Sequence, residues 1–268
     1  MSPQPDYGID APRAVSVLVV LSCAAGGLAA LLHGPGSLDQ FGILVPVGLG
    51  VLAADLLIVA AAMLWYSRVG KLRQRDRLLG LLAWRGDERV LDVGCGRGLL
   101  LVGAAERLTG GKAVGIDIWS RVDLSGNRPE ATLENARRAG VAGRVEVEGG
   151  DARRLPFADA SFDVVVSSLV LHNIPGREGR RQALREMARV LKSGGHIALL
   201  DLRHTADYVR VLRQCGLPDA RRSAVGLFLT GLLPIFTCGA VCFYRVTGRK
   251  SGAELDQVTG KPVDHQAE

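Results

Sequence analysis

Three glycines stand at alternate positions in VLDVGCGRG, Val90 to Gly98, directly behind a short apolar run. Glycine loses more backbone freedom on folding than any other residue, so three together mark unusual backbone angles or a ligand pressed against the main chain. A strand that ends in such a turn and runs on into a helix reads as the first unit of an open α/β sheet with a cofactor loop.

The rest of the chain keeps to that pattern. From Leu72 onward short β-rich runs alternate with amphipathic stretches, which argues for a parallel sheet with helices on both faces. Helices are expected over LRQRDRLLGLLAW, LLLVGAAERL, NRPEATLENARRAG and GREGRRQALREMARVL. Strands are expected over RVLDVG, AVGID, RVEVEGGD, SFDVVVSS and GGHIALLDL. The polar, aperiodic tail from Thr247 is expected to be disordered.

One such domain needs about 150 to 200 residues, and the chain has 268. Hydrophobic residues make up 48% while aromatics make up only 5%, and the surplus of Ala, Val, Leu and Gly lies before residue 67. Ala14 to Leu32 carries no charge, and Gly42 to Tyr66 carries one, Asp55. Each is long enough to cross the roughly 30 Å hydrocarbon layer as a helix of about twenty residues. With the polar HGPGSLDQF between them, residues 1–67 are expected to form a transmembrane hairpin. A cleaved signal is disfavoured, since only Arg13 precedes the first span and no small-residue cleavage site comes before the second.

Residues 68–78 follow as a basic segment, with Arg68, Lys71, Arg73, Arg75 and Arg77 against Asp76. Five positive charges minus one negative leave four of the net +6 in this cluster. The positive-inside rule then places the domain, residues 72–250, in the cytoplasm, as part of an integral membrane protein. The charge is a topology signal, with attraction to anionic headgroups as a second use, and does not call for nucleic acid. Residues 224–244 hold no charge, but a third span would carry Arg245, Arg249 and Lys250 outside, and Pro234 breaks the run. A closing strand and an apolar loop are expected there, and a disordered tail over 251–268.

Asp55 should be paired, protonated or facing another helix, because an isolated carboxylate at that depth costs about 2.5–3.5 kcal/mol. Gly26, Gly27, Gly48 and Gly50 offer close helix packing. The five cysteines, Cys23, Cys95, Cys215, Cys238 and Cys242, form no CxxC pair, so neither a disulfide nor a metal site is expected.

In an open parallel sheet the ligand crevice lies at the carboxyl ends of the strands. Those ends hold Asp92, Gly94, Gly96 and Gly98; then Asp117; then Asp151 and Ala152; then Ser167 and Ser168. The glycine spacing is GxGxG, with Leu99 where a nicotinamide cofactor's GxGxxG would require glycine. An acidic residue ending the second strand is placed to accept ribose hydroxyls, which gives Asp117 a role.

With these residues in order, the sequence from Leu72 to about Lys250 resembles the class I S-adenosylmethionine-dependent methyltransferases. VLDVGCGRG looks like their first motif, VGIDI their second, GDARRLPFADASFDVVVSS their third and fourth, and LREMARVLKSGGHIALLD the helix and fifth strand. The resemblance implies a Rossmann-like seven-stranded sheet, antiparallel in its last strand near Val241 to Thr247, and S-adenosyl-L-methionine as cofactor. Gly94, Gly96 and Gly98, with Cys95 among them, would line the methionyl end, and Asp92 would lie near its amino group. Asp117 would hold the ribose, Ile118 would flank the adenine, Asp151 and Ala152 would address its edge, and Ser167 would begin the acceptor-facing loop.

Two departures stand out: Ser193 replaces the usual proline of LKPGG, and WSRVDLSGNRPEAT is longer than the family's usual step. Trp119, Arg121, Asp123 and Asn127 form either a substrate lid or a variable surface loop. His172, beside Asn173 in SSLVLHNIPG, is either a general base or a residue that shapes its loop. No NPPY and no nucleophilic cysteine motif is present, which disfavours nucleobase methylation. The expected function is methyl transfer at the cytoplasmic membrane face to a small or lipid-like acceptor. The alternative is a non-catalytic cofactor sensor or membrane scaffold.

Overall fold

The computed structural model describes residues 4–32, 43–120, 124–225 and 243–252. The HGPGSLDQF connection, Arg121, Asp123, Cys238, Cys242, most of 224–244 and the tail from 253 lie outside the described residues.

The two uncharged runs are helices, α1 (Pro12–Leu32) and α2 (Leu44–Trp65), packed side by side. Ser22 Oγ donates to the Ala53 carbonyl at 2.7 Å between them. Of the four glycines expected at this contact, only Gly26 comes close, 3.7 Å from the Ala53 Cβ for an added Cβ, while Gly27, Gly48 and Gly50 face open space. Among the described residues no hydrogen bond or ion pair reaches Asp55, which is half-buried. Large apolar side chains point outward along both helices: Val20 is 65% exposed, Leu31 82% and Leu44 62%.

α2 does not stop at the basic segment. A π-helical turn, Tyr66–Gly70, carries it straight into α3 (Lys71–Leu79). Gly70 permits this turn, since a Cβ there would fall 2.7 Å from the Tyr66 ring. The second apolar helix and the leading helix of the α/β domain are therefore one rod. The basic cluster is also not a uniform surface: Arg68, Arg73 and Arg77 are exposed, whereas Lys71 is buried and Arg75 pairs with Asp76 and Glu106.

The domain follows as β1 (Arg89–Val93), α4 (Leu99–Ala105), β2 (Lys112–Asp117), α5 (Pro129–Arg138), β3 (Val145–Gly149), β4 (Phe162–Ser168), α6 (Arg177–Val190), β5 (Leu191–Asp201), α7 (Thr205–Gln214), β6 (Arg221–Ala224) and β7 (Tyr244–Arg249). The seven strands lie in the order β3-β2-β1-β4-β5-β7-β6. The first five are parallel, and β7 runs antiparallel between β5 and β6. β7 falls on the expected antiparallel last strand near Val241 to Thr247, and Gly248 and Arg249, expected in the disordered tail, extend it, Thr247 pairing with Ala198 and Arg249 with His196. α7 and β6 were not among the expected elements. All four residues of β6, Arg-Arg-Ser-Ala, are exposed, so this edge strand has no apolar alternation to read.

Alternation along the central strands builds two cores. Val90, Val164, Val166, Ala198 and Leu200 pack on α3 and α4. Leu91, Val93, Val165, Ile197 and Leu199 pack on α6 and α7. The chain moves outward from β1 through β2 to β3, then returns to β4 on the other side. The crevice at the β1 carboxyl end is therefore the switch point at which such sheets bind ligands.

Candidate active site

The loop after β1 is held open by its glycines. Gly94 and Gly96 have φ of +73° and +52°, and a Cβ on Gly94 would lie 2.2 Å from Val170 Cγ2. The loop's polar groups are spoken for from both sides. Gly96 N–H donates to Asp117 Oδ2 at 2.8 Å. Thr132 Oγ1 donates to the Gly96 carbonyl at 2.6 Å, and Asn135 Nδ2 donates to the Arg97 carbonyl at 2.9 Å. Thr132 and Asn135, both buried on α5, thus fix two carbonyls that glycine leaves conformationally free.

Asp117 organises this loop as well as facing the crevice. Its Oδ1 accepts from Trp119 N at 2.6 Å and from Asn127 Nδ2 at 3.2 Å. Three acceptances leave a lone pair on Oδ2 for a further donor. Asn127, one of the candidate lid residues, is buried and clasps Asp117 and the Ser120 carbonyl. Trp119 has φ of +59°, packs partly buried against the first core, and is not among the residues lining the main cavity.

That cavity, of about 820 Å³, lies at the carboxyl ends of the parallel strands. Its walls bring together most of the expected site: Asp92, Gly94, Cys95, Gly96, Asp117 and Ile118, together with Asp151, Ala152 and His172. Gly98 stands behind the loop, starting α4 with φ of +84°. Ser167 is placed differently. Its hydroxyl is buried and donates to the Val93 carbonyl at 2.7 Å, joining β4 to β1, and Ser168 lines the cavity in its stead. Asp151 pairs with Arg153 through a 2.6 Å contact and accepts from the Arg153 N–H, which holds its carboxyl below the usual range.

Asp92 is the least comfortable group in the site. It is 2% exposed, and burial pushes its carboxyl up to about 8, with a smaller upward push from Asp117. Burial also raises the Cys95 thiol well above its ordinary value, so that side chain is a neutral filler beneath the loop.

His172 is part of a dyad. Its Nδ1 lies 2.5 Å from Asp201 Oδ1, and Asp201 is 2% exposed at the end of β5. Asp201 also accepts from the His172 and Leu202 main-chain N–H groups and from the Tyr208 hydroxyl. A carboxylate is acceptor-only, so Nδ1 carries the proton and Nε2 is left as the basic nitrogen. The rule that strand ends face the crevice, applied to the fifth strand, would have found Asp201.

A second group of residues was not legible in the sequence. The N-terminal segment before α1 lies across the glycine loop. Asp6 pairs with Arg97 at 2.8 Å, and its main-chain N–H and carbonyl bond Asn135. Lys71 Nζ, buried in α3, donates to the Tyr7 and Gly8 carbonyls at 2.8 and 2.6 Å, with Asp10 3.5 Å away. Burial pulls the Lys71 ammonium below its ordinary range, against the opposing charge of Asp10.

Residues 91–199 match a family described as a methyltransferase domain. The 27-O-demethylrifamycin SV methyltransferase of Amycolatopsis mediterranei is 39% identical over 129 residues, 48% of this chain and 44% of that protein. The ubiquinone/menaquinone biosynthesis C-methyltransferase UbiE of Geotalea daltonii is 31% identical over 113 residues, 42% of this chain and 45% of that protein. The crystal structure of the [4+2]-cyclase SpnF superposes with a TM-score of 0.55 at 21% identity, covering 67% of this chain and 80% of that one. This chain spans less than half the length of these two curated relatives, and the structural likeness shows the fold alone. The α/β part has the Rossmann-like methyltransferase fold. Within it, residues 91–199 are the part similar to the methyltransferase-domain family.

Proposed function

We propose that the chain is a membrane-anchored methyltransferase whose α/β domain works at the cytoplasmic face on a small, lipid-like acceptor bearing an ionisable hydroxyl or acidic C–H. The carrying observation is that the His172–Asp201 dyad lines the same cavity as the glycine loop, Asp92 and Asp117. S-adenosylmethionine supplies a sulfonium methyl group to an in-line nucleophile, and the S–CH3 electron pair leaves with sulfur. Asp92 would meet the cofactor's ammonium, Asp117 its ribose, and Ile118 with Asp151 and Ala152 its adenine. Holding acceptor and methyl in line is worth up to roughly 7–11 kcal/mol, so most of the acceleration comes from positioning. His172 Nε2 takes the acceptor's proton as the new bond forms, and Asp201 fixes the ring and carries the charge that develops.

Anchoring rests on α1 and α2. Their outward side chains are exposed valines, leucines and isoleucines along the length of both helices, and a bilayer is the solvent that suits them. The exposed Arg68, Arg73 and Arg77 on the continuing rod support a cytoplasmic domain. The relatives named above carry methyltransferase names for complex organic acceptors, which favours a small molecule. The test is S-adenosylhomocysteine formation by the full chain in vesicles with a total lipid extract. Product should appear with wild type and be lost in His172→Gln, while cofactor binding persists. A folded chain that binds cofactor and forms no product from any lipid or small-molecule fraction would favour the sensor reading.

A further inference from the structure

The cavity does not end at the α/β domain. From the glycine loop it continues between the domain-side ends of the two apolar helices, where Ala14 and Leu18 of α1 face Val59, Ala62 and Met63 of α2 across it. Leu18 lies six residues into α1, and Val59 six residues before the end of α2. At 1.5 Å per residue the cavity climbs about 9 Å along the hairpin. Ala14 is exposed and Leu18, Val59, Ala62 and Met63 are half-buried, so this part of the cavity reaches the surface of a hairpin that turns leucines and valines outward.

Two further observations suit an amphiphile. Tyr66 lines the cavity where hairpin and domain join, stacked on Phe243 with ring centroids 4.8 Å apart. It is 7% exposed, and its hydroxyl has no hydrogen-bond partner among the described residues. A buried hydroxyl without a partner loses its desolvation free energy uncompensated, and a polar atom of a ligand in this cavity would supply the partner. At the rim, Arg13 in the first turn of α1 is exposed and lines the opening.

We infer that the acceptor is a bilayer-dissolved amphiphile that enters sideways between α1 and α2. Its apolar chain stays between Leu18, Val59 and Met63. Its polar head passes Tyr66 and reaches the methyl-transfer site beside His172. This deepens the proposed function and rests on its membrane anchoring. It explains why α2 and α3 are one continuous helix, because a rigid rod keeps the portal in register with the glycine loop.

The test uses the full chain in vesicles of phosphatidylethanolamine and phosphatidylglycerol containing a long-chain alcohol with a diazirine on its chain. After irradiation, labelled residues are mapped by mass spectrometry, and S-adenosylmethionine binding is measured on the same preparation. Labels are expected on Leu18, Val59 or Met63 as well as on outward residues such as Val20 and Val51. Ala62→Trp, which fills the portal, should abolish the inner labels and spare the outer ones and the cofactor affinity. Labels confined to outward residues, or inner labels unchanged by Ala62→Trp in a chain that still binds cofactor, would overturn the inference. Inner labelling in a chain that binds no cofactor would instead remove the methyltransferase reading and leave the lipid path standing.

Discussion

Asp92 should make cofactor binding depend on pH in a range where carboxylates are normally silent. Burial holds its carboxyl up near 8, so at neutral pH the free protein carries it mostly protonated. A cationic ligand whose ammonium meets this group binds the ionised form, and a proton must leave as the ligand arrives. One pKa unit is about 1.4 kcal/mol, so at pH 7 ionisation subtracts about that much from the binding free energy. Between pH 5.5 and 7.0 the ligand's own amino group stays largely protonated, and the affinity should rise more than tenfold, about 30-fold for a carboxyl at about 8. Calorimetry in buffers of different ionisation enthalpy should count close to one proton released per cofactor bound at pH 6.5. Asp92→Asn should bind weakly with no pH slope. A wild-type affinity that is flat across this range, with no proton released, would refute both the ammonium contact and the buried, neutral carboxyl.

The same group sets a stability trend. Its folded value lies above the ordinary carboxylate value of about 3.9, so the stabilisation it gives is complete below that pH and is lost as pH rises through about 8. Ligand-free Asp92→Asn should therefore melt at a higher temperature than wild type at pH 8 by scanning calorimetry.

His172→Gln and Asp201→Asn should each lower S-adenosylhomocysteine formation about 10²- to 10⁴-fold, with cofactor affinity unchanged by calorimetry. Gly94→Ala must place a Cβ at φ +73° against Val170. It should destabilise by about 2 kcal/mol or more in urea titrations, with partial recovery in the double variant with Val170→Ala. Lys71→Met removes both bonds to the N-terminal segment and leaves Asp10 without its cation. A loss of about 2–4 kcal/mol and rapid proteolysis within residues 4–10 are expected, whereas Arg68→Ala on the exposed face should alter neither.

What was legible in the sequence is what local chemistry dictates. β1, β2, β4 and their helices announce themselves because a strand buried on both faces must be continuously apolar, and because the glycine turn admits few other residues. The crevice followed from strand ends alone. Asp117 was picked out by position, but its bonds to Gly96, Trp119 and Asn127 depend on a loop fold that no spacing encodes. Ser167 sits at the right strand end, yet the pleat turns its hydroxyl toward Val93. The strap formed by Asp6, Tyr7 and Gly8 joins residues 63 to 129 positions apart in the chain. Lys71 looked like one more topology charge because burial by a distant segment leaves no local mark. β6 escaped for the opposite reason, being an exposed edge with no apolar pattern.

The strap also decides how the central measurement must be made. A chain beginning at residue 68 would lack Asp6, Tyr7 and Asp10 and leave the Lys71 ammonium buried without its partners, so the full chain in detergent or vesicles is required. The decisive measurement is calorimetric titration of that chain with S-adenosylmethionine, alongside Asp117→Ala. Saturable binding in the micromolar range, lost in a variant that keeps its secondary structure, is the predicted result. A folded wild-type chain that takes up no S-adenosylmethionine would contradict the assignment of the glycine loop and its carboxylates as a cofactor site.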